Sequence, residues 1–221
     1  MSIVLTQSAN RVRTSQPPNY GDGVEASVAL NSKGEMLTSQ GSAPLQEMVR
    51  LGNSWYGKGV VTTATLNQTL PTTTAASTLW NGEAGGGKSY VVQGIGWLTD
   101  VSGAAANILT IWAEPSIAAL AAAPATAEAG VIRPLRFGKG TYGGAAIISQ
   151  AVTVTDNGWL PLMTMNTAAL TANKGMGGYI ELNGLFVIPP GYYLALASCG
   201  TAATAEVGYY YVWHEVQLAL A

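Results

Sequence analysis

The chain has 221 residues, of which 48% are apolar and only 10% are charged, and its formal net charge is −2. A chain this long and this apolar can bury a full core, which excludes disorder, and it has no basic stripe for a nucleic-acid or anionic-membrane partner. Charged residues make up about a quarter of a typical soluble chain. The low charge therefore favours a surface that other subunits partly cover.

Cysteine content and the N-terminal sequence bear on the cellular compartment. The single cysteine, Cys199, excludes an internal disulfide and with it a disulfide-built secreted scaffold. The apolar run at residues 3–5 is too short for a signal peptide, and the arginines follow it rather than precede it. No apolar run approaches the length of a membrane span. We expect a protein that is not secreted through a signal peptide and has no membrane partner.

Residues 1–58 are predicted to form an extended N-terminal arm. Prolines and glycines at residues 17–23 favour extended and turn backbone. Residues 24–38 alternate on both sides of a Gly-ended turn, which predicts a small hairpin. Pro44–Leu51 has the apolar spacing of about two helical turns. Because nothing here makes a core alone, we expect the arm to fold against its own domain or a neighbour.

Residues 59–221 are predicted to form an all-β domain, a jelly-roll-like β-sandwich of about eight strands. Short runs rich in β-branched and aromatic residues recur between Gly, Pro and Asn turns. At residues 189–191, Pro-Pro-Gly separates two apolar runs, and neither run can carry a strand through the prolines, so the sheet must turn a corner there. Residues 115–123 are predicted as one short Ala-rich helix, because Ala and Leu dominate and Pro124 ends it.

Residues 82–89, Gly-Glu-Ala-Gly-Gly-Gly-Lys-Ser, satisfy the phosphate-loop pattern G-x-x-x-x-G-K-S. A phosphate loop needs a following helix, whose N-terminal N–H groups hold the phosphates. Residues 90–97 are β-branched, aromatic and broken by glycines, so they predict a strand. A loop between two strands is the preferred interpretation over a nucleotide site.

Nucleophilic catalysis would have to use His214, the only histidine, which lies on an apolar side of the last predicted strand. That position favours a structural histidine. The pattern G-x-S-x-G is absent, and a metal site needs companions that one His and Cys199 do not supply. The aspartates stand in turns or near a strand end: Asp22, Asp100 and Asp156. We therefore predict no catalytic residues, no metal and no cofactor.

Glu181 and Glu215 are the candidates for a pair of catalytic carboxylates of the glycosidase type. They lie on different predicted strands, and the sequence does not give the distance between them. Alternate residues of the aromatic run 209–213 point to opposite sides of the last strand. Such a run lines a sugar-binding face, or it is divided between the core and a subunit interface. The sequence leaves open which side is core.

Two stretches resemble bacteriophage proteins. Residues 27–37, SVALNSKGEML, are similar to the arm hairpins of tailed-bacteriophage structural proteins. Residues 187–196, VIPPGYYLAL, followed by an aromatic last strand, resemble the closing strands of jelly-roll virion proteins. The resemblance implies a phage particle component, commonly a trimer and commonly a head decoration or cement protein. It assigns no functional residues, because such families work through surfaces.

We expect a non-enzymatic virion structural protein, a capsid cement or decoration protein that binds the major capsid protein and copies of itself as a homotrimer. It is expected in the virion, assembled in the host cytoplasm. One alternative is a receptor- or glycan-binding virion protein, such as a head fibre, tail adaptor or tail tip, with a host surface glycan as partner. Another is an enzyme that uses Glu181 and Glu215, or the loop carrying Lys88. The predicted interface residues are Arg11, Arg13, Tyr20, Leu30, Leu37, Trp55, Tyr56, Tyr209, Tyr211 and Trp213.

Overall fold

Eleven strands and one short helix make up the described part of the chain, which in this computed structural model comprises residues 44–59, 64–65, 69–101, 108–124, 130–166, 174–200 and 205–217. The elements are α1 (Pro44–Leu51), β1 (Ser54–Lys58), β2 (Ala64–Thr65), β3 (Thr74–Asn81), β4 (Ser89–Val101), β5 (Ile108–Pro115), β6 (Val131–Pro134), β7 (Ala146–Thr153), β8 (Leu160–Asn166), β9 (Lys174–Ile188), β10 (Tyr193–Gly200) and β11 (Ala205–Val216). All of these elements belong to one compact unit of the chain. The predicted hairpin at 24–38 lies outside the described residues.

The strands form two antiparallel sheets that pack as a sandwich. Sheet 1 has the order β6-β1-β11-β4-β9, with β2 also paired to β11, and sheet 2 has the order β7-β3-β10-β5-β8. Without β2, β6 and β7, eight strands remain. Numbered one to eight in chain order, these strands follow the order 1-8-3-6 across sheet 1 and 2-7-4-5 across sheet 2. That order is the double Greek key of a jelly roll, so the predicted fold class is confirmed.

The core lies between the inward faces of the two sheets. Strand alternation directs one side of each strand inward, and the largest fully buried side chains belong to those inward positions. They include Trp213, Tyr211, Tyr90, Leu79, Ile95, Ile111, Leu194 and Leu196. The aromatic residues of β11 face leucines and isoleucines of sheet 2, which gives the sandwich a core of high volume.

The corner at residues 189–191 passes the chain from β9 in sheet 1 to β10 in sheet 2, as predicted. Gly191 has a φ of 84°, a value that favours glycine. Its N–H donates to the Asn81 carbonyl, and its own carbonyl accepts the Trp80 indole N–H at 2.9 Å. The Asn81 amide donates to the Ile188 and Lys88 carbonyls, both at 2.8 Å. The corner is therefore held by the end of β3 as well as by its own turn.

The predicted Ala-rich helix at residues 115–123 is absent, and the helix of the described chain is α1. Pro115 ends β5, and the residues after it form bends. The Ser116 N–H donates to the Tyr193 carbonyl at 2.9 Å, and the Leu120 N–H donates to the Gly191 carbonyl at 2.8 Å. Because these N–H groups donate to β10 and to the corner, they are not available for helical hydrogen bonds. These long-range bonds outweigh the helix propensity of alanine.

The strand β1 lies in the segment predicted as arm. It pairs with β11 on one side and with β6 on the other. Residues 54–58 are therefore an internal strand of sheet 1, and the sandwich begins earlier in the chain than residue 59. A five-residue strand without regular alternation gave little sign of this pairing, because its partners lie far away in sequence.

Candidate functional site: an open sheet face and a buried ion pair

The loop with the phosphate-loop pattern joins β3 to β4, and a strand follows it directly. Lys88 Nζ lies 3.0 Å from Glu215 Oε2, and the Gln217 side chain donates to the Gly86 carbonyl at 2.6 Å. Lys88 is thus paired with a carboxylate, and no helix N-terminus adjoins the loop. A phosphate would lack both the free cation and the dipole that the motif normally supplies. The arrangement fastens the loop to the end of β11.

Glu215 is the centre of a buried polar network. Besides Lys88, its carboxylate accepts the Tyr142 O–H at 2.8 Å, and the Tyr142 oxygen accepts the Ala146 N–H at 2.9 Å. The Tyr90 hydroxyl lies 3.4 Å from that of Tyr142. Burial raises the pKa of both tyrosines far above the ordinary value, so both remain neutral hydrogen-bond donors. The network links the start of β4 and the end of β11 in sheet 1 to the start of β7 in sheet 2.

Aromatic rings close this network from the core side. The Tyr142 ring makes edge contacts with Trp55 at 4.7 Å and with Trp213 at 6.4 Å between centroids. The Glu215 side chain is only 2% exposed. A substrate cannot reach a carboxylate enclosed in this way, so the role of Glu215 is structural.

His214 pairs with serine in a manner unlike a catalytic triad. Ser54 Oγ lies 2.6 Å from His214 Nδ1, both residues are buried, and His214 Nε2 has no partner among the described residues. Burial lowers the pKa of His214, so the imidazole is neutral. A triad needs a carboxylate on the second ring nitrogen. Glu215, the next residue, points to the opposite side of β11, so His214 is a structural histidine.

The two candidate catalytic carboxylates lie on opposite faces of sheet 1. Glu181 pairs with Gly94, which pairs with Val212, so it shares their outward side. Glu215 is buried on the inward side. Carboxyl groups separated by a sheet cannot flank one glycosidic bond. The pairing of Glu181 with Glu215 as acid and base therefore has no support in the fold.

The predicted interface residues fall into three groups. Trp55, Tyr209, Tyr211 and Trp213 are buried in the core, with exposures of 0–5%. Another subunit cannot contact these side chains, because the inward sides of β1 and β11 pack on sheet 2. Their assignment to a subunit interface was therefore wrong. Tyr56 is 37% exposed on the outward side of sheet 1. The remaining five lie outside the described residues: Arg11, Arg13, Tyr20, Leu30 and Leu37.

The outward side of sheet 1 carries two rows of side chains across all five strands of its main path. Register pairs define the first row as Val131, Lys58, Tyr210, Gly96 and Tyr179. The second row is Arg133, Tyr56, Val212, Gly94 and Glu181. We call these two rows, together with the neighbouring Leu98, the open face. Tyr56, Val131, Tyr179 and Leu98 are exposed there, Tyr210 and Val212 are half-buried, and the face has three charged side chains.

Two tyrosines lie over the glycines of β4 on the open face. The rings of Tyr179 and Tyr210 are near-parallel, with an interplanar angle of 21° and centroids 6.3 Å apart. A Cβ at Gly96 would lie 1.7 Å from the Tyr210 ring, and one at Gly94 would lie 2.3 Å from the Tyr179 ring. The rings therefore occupy the space of the missing side chains. Burial and the nearby tyrosine and Glu181 raise the pKa of Tyr179.

The sequence reasoning missed Glu114, a fully buried carboxyl on β5. Its Oε1 accepts the N–H of Asn157, in the turn after β7, and its Oε2 has no partner in the described chain. Burial is the main cause that raises its pKa. The signal in the sequence was one acidic residue inside an apolar strand, Ile-Leu-Thr-Ile-Trp-Ala-Glu-Pro.

Within the described ranges, no three His, Cys, Asp or Glu residues are grouped so that they could hold a metal ion. Among those same residues, no helix is long and apolar enough to cross a membrane. No protein-family model matches the chain, and no curated protein matches it.

Proposed function

We propose that this chain is a non-enzymatic structural protein of a bacteriophage particle, a capsid cement or decoration protein. Its partners in this proposal are the major capsid protein and further copies of the chain. The observation that carries the proposal is the open face, a mostly apolar sheet surface on which Tyr56, Val131, Tyr179 and Leu98 are 37–57% exposed. Such surfaces on soluble proteins mark sites of association.

Three further observations support this role. The jelly-roll order of the strands occurs in viral capsid domains, although a fold alone does not specify a function. The low charge of the chain suits a surface that is covered on assembly. The candidate catalytic groups are paired, enclosed or separated by a sheet: Lys88, Glu181, His214 and Glu215.

In the proposed mechanism, the sandwich supplies a rigid body and the N-terminal arm predicted from the sequence supplies reach. A segment that orders on binding pays an entropic cost but covers a long seam between capsid subunits. In this proposal the arm runs over the capsid surface or into an adjacent subunit, and the clamped surface resists sliding of the subunits. The adhesive contacts come from uncharged and apolar side chains, which salt screens little.

Limited proteolysis with mass measurement tests the proposal on the free protein and on assembled particles. We expect cleavage ahead of residue 44 in the free chain, protection of the same sites in the particle, and rebinding of the purified chain to empty shells. Failure to bind shells, with equal cleavage in both states, would overturn the cement role.

The Tyr179–Tyr210 pair favours one second candidate, a virion protein that binds host surface glycans. Near-parallel tyrosine rings beside Glu181 and Lys58 offer an apolar surface for a sugar ring, with charged groups for its hydroxyls. Binding of the full chain to an array of oligosaccharides tests this candidate. A glycan that binds the native protein and is lost in Tyr179→Ala would support it, and no binding at millimolar sugar would exclude it.

A further inference from the structure

The open face is arranged so that it complements itself. We propose that a second copy of this chain binds there, face to face, about a two-fold axis that runs along β11. This inference rests on the proposed function as a self-associating structural protein and names the geometry of one contact. It differs from a trimer, in which each face would meet a different surface.

The charges of the second row carry the proposal. Arg133 stands at one end, Glu181 at the other, and Tyr56, Val212 and Gly94 lie between them. The ends are four strand spacings apart, about 19 Å. β11 is the central strand of the five, so rotation about an axis along it exchanges the two ends. Arg133 of each copy then lies opposite Glu181 of the other, which makes two symmetric ion pairs.

The same rotation matches the first row. Tyr210 comes opposite Tyr210 of the second copy, and Val131 comes opposite Tyr179. Lys58 comes opposite Gly96, which the Tyr210 ring covers, and that ring offers a surface for the cation. No like charges are brought together, and the apolar residues meet apolar or aromatic residues.

The alternative two-fold axis, across the strands, places Arg133 opposite Arg133 and Glu181 opposite Glu181. Like charges directly opposed at an interface are costly, so the charge pattern selects the axis along β11. Both axes keep the strands of the two copies aligned, which is a preferred packing of two sheets, so the charges alone select between them. Because β4 has glycines at these positions, the Tyr179 and Tyr210 rings lie directly over its backbone on the surface that the second copy would contact.

Both charges are available for this contact. Within the described residues neither Arg133 nor Glu181 has a salt-bridge partner. Opposite charges at the two ends of an apolar row form a charged rim around an apolar centre. Such a surface complements a second copy of itself. A net charge of −2 sets only a weak general repulsion between copies.

Sedimentation equilibrium of the full chain tests the contact with charge-reversal variants. We expect native dimers, and about 100-fold weaker self-association for Arg133→Glu and for Glu181→Arg, because each variant opposes like charges twice. The double variant R133E/E181R should dimerise again. An equimolar mixture of the two single variants should form heterodimers, since both of its pairs are then opposite in sign. Arg136→Glu, an exposed arginine outside the rows, is the matched control and should dimerise as the native chain does.

Each outcome is decisive when far-UV circular dichroism shows that every variant is folded. A native chain that stays monomeric, a trimer, or a dimer insensitive to charge reversal overturns the inference. A monomer that binds an oligosaccharide through the open face overturns it in favour of the glycan candidate. Shell binding is measured on the same samples, so a monomer that binds shells refutes only the two-fold contact. A dimer that obeys the charge pattern but ignores shells refutes only the cement role.

Discussion

The Lys88–Glu215 ion pair should respond unequally to removal of its two members. The Glu215 side chain is 2% exposed, whereas that of Lys88 is 46% exposed. Lys88→Met leaves a carboxylate enclosed in the core with the Tyr142 O–H as its remaining described donor. Glu215→Gln keeps that hydrogen bond through its amide oxygen and leaves a lysine that can turn into water.

The magnitudes follow from this asymmetry. Removing one member of a buried ion pair costs roughly 3–5 kcal/mol, and we expect K88M to lower the free energy of unfolding by about 3 kcal/mol, since one hydrogen bond persists. E215Q should cost about 1 kcal/mol, because the lost pair has a half-exposed cation. The double variant K88M/E215Q should cost about 1.5 kcal/mol, which corresponds to a coupling of about 2.5 kcal/mol.

Urea unfolding at neutral pH and one protein concentration measures these differences, provided that the denaturant slopes agree. Arg136→Met is the matched control, because Arg136 is exposed, lies outside the open face and has no salt bridge in the described part of the chain. It should change stability by less than about 0.5 kcal/mol. If K88M costs no more than E215Q, or if the double variant is as unstable as K88M, the reasoning about the enclosed carboxylate is wrong.

Two further predictions concern glycine packing and pH. Gly96→Ala forces the Tyr210 ring off β4, since the new Cβ would lie 1.7 Å from it, and should cost about 1–3 kcal/mol in urea unfolding, whereas Gly85→Ala meets nothing within 4 Å and should be neutral. The raised pKa of Glu114 means that the folded state still holds its proton at pH values where the unfolded state, with the ordinary pKa of 4.5, has released it. The native chain should therefore lose stability relative to Glu114→Gln as the pH rises from 4 to 7. A difference in melting temperature between the two proteins that stays constant over this range would contradict this. The variant should keep the Asn157 hydrogen bond.

Local pattern was sufficient for the strands and for the corner. The Pro-Pro-Gly at 189–191 excludes strand continuation whatever surrounds it, so the chain had to change sheets there. The alternation in β11 and β7 likewise predicted strands, and the run of turns at short spacing predicted a sandwich. These signals act within a few residues and need no knowledge of the rest of the chain.

Local pattern failed where distant partners decide the conformation. The alanines before Pro124 favour a helix, but the N–H groups of Ser116 and Leu120 find carbonyls on β10 and the corner. The strand β1 is short and irregular, and it exists because β6 and β11 both pair with it. Propensity is a weak bias that such long-range hydrogen bonds overcome.

The candidate sites divide in the same way. The sequence showed that 82–89 is not followed by a helix and that His214 lies on an apolar side of a strand, and both interpretations agree with the structure. It did not show that Lys88 reaches Glu215, which is 127 residues away. It also did not bring Tyr179 beside Tyr210, because that contact depends on the register of β4 between β9 and β11.

By itself, the sequence determined the class of this protein: an all-β sandwich of low charge, with a corner at 189–191. Only the tertiary structure decided which side of β11 is core. Both sides of that strand are aromatic and apolar, so a period of two residues describes two faces without ranking them. The pairing of β11 with β1 and β4, and the packing of its inward side on sheet 2, bury Tyr209, Tyr211 and Trp213 and leave Tyr210 outside.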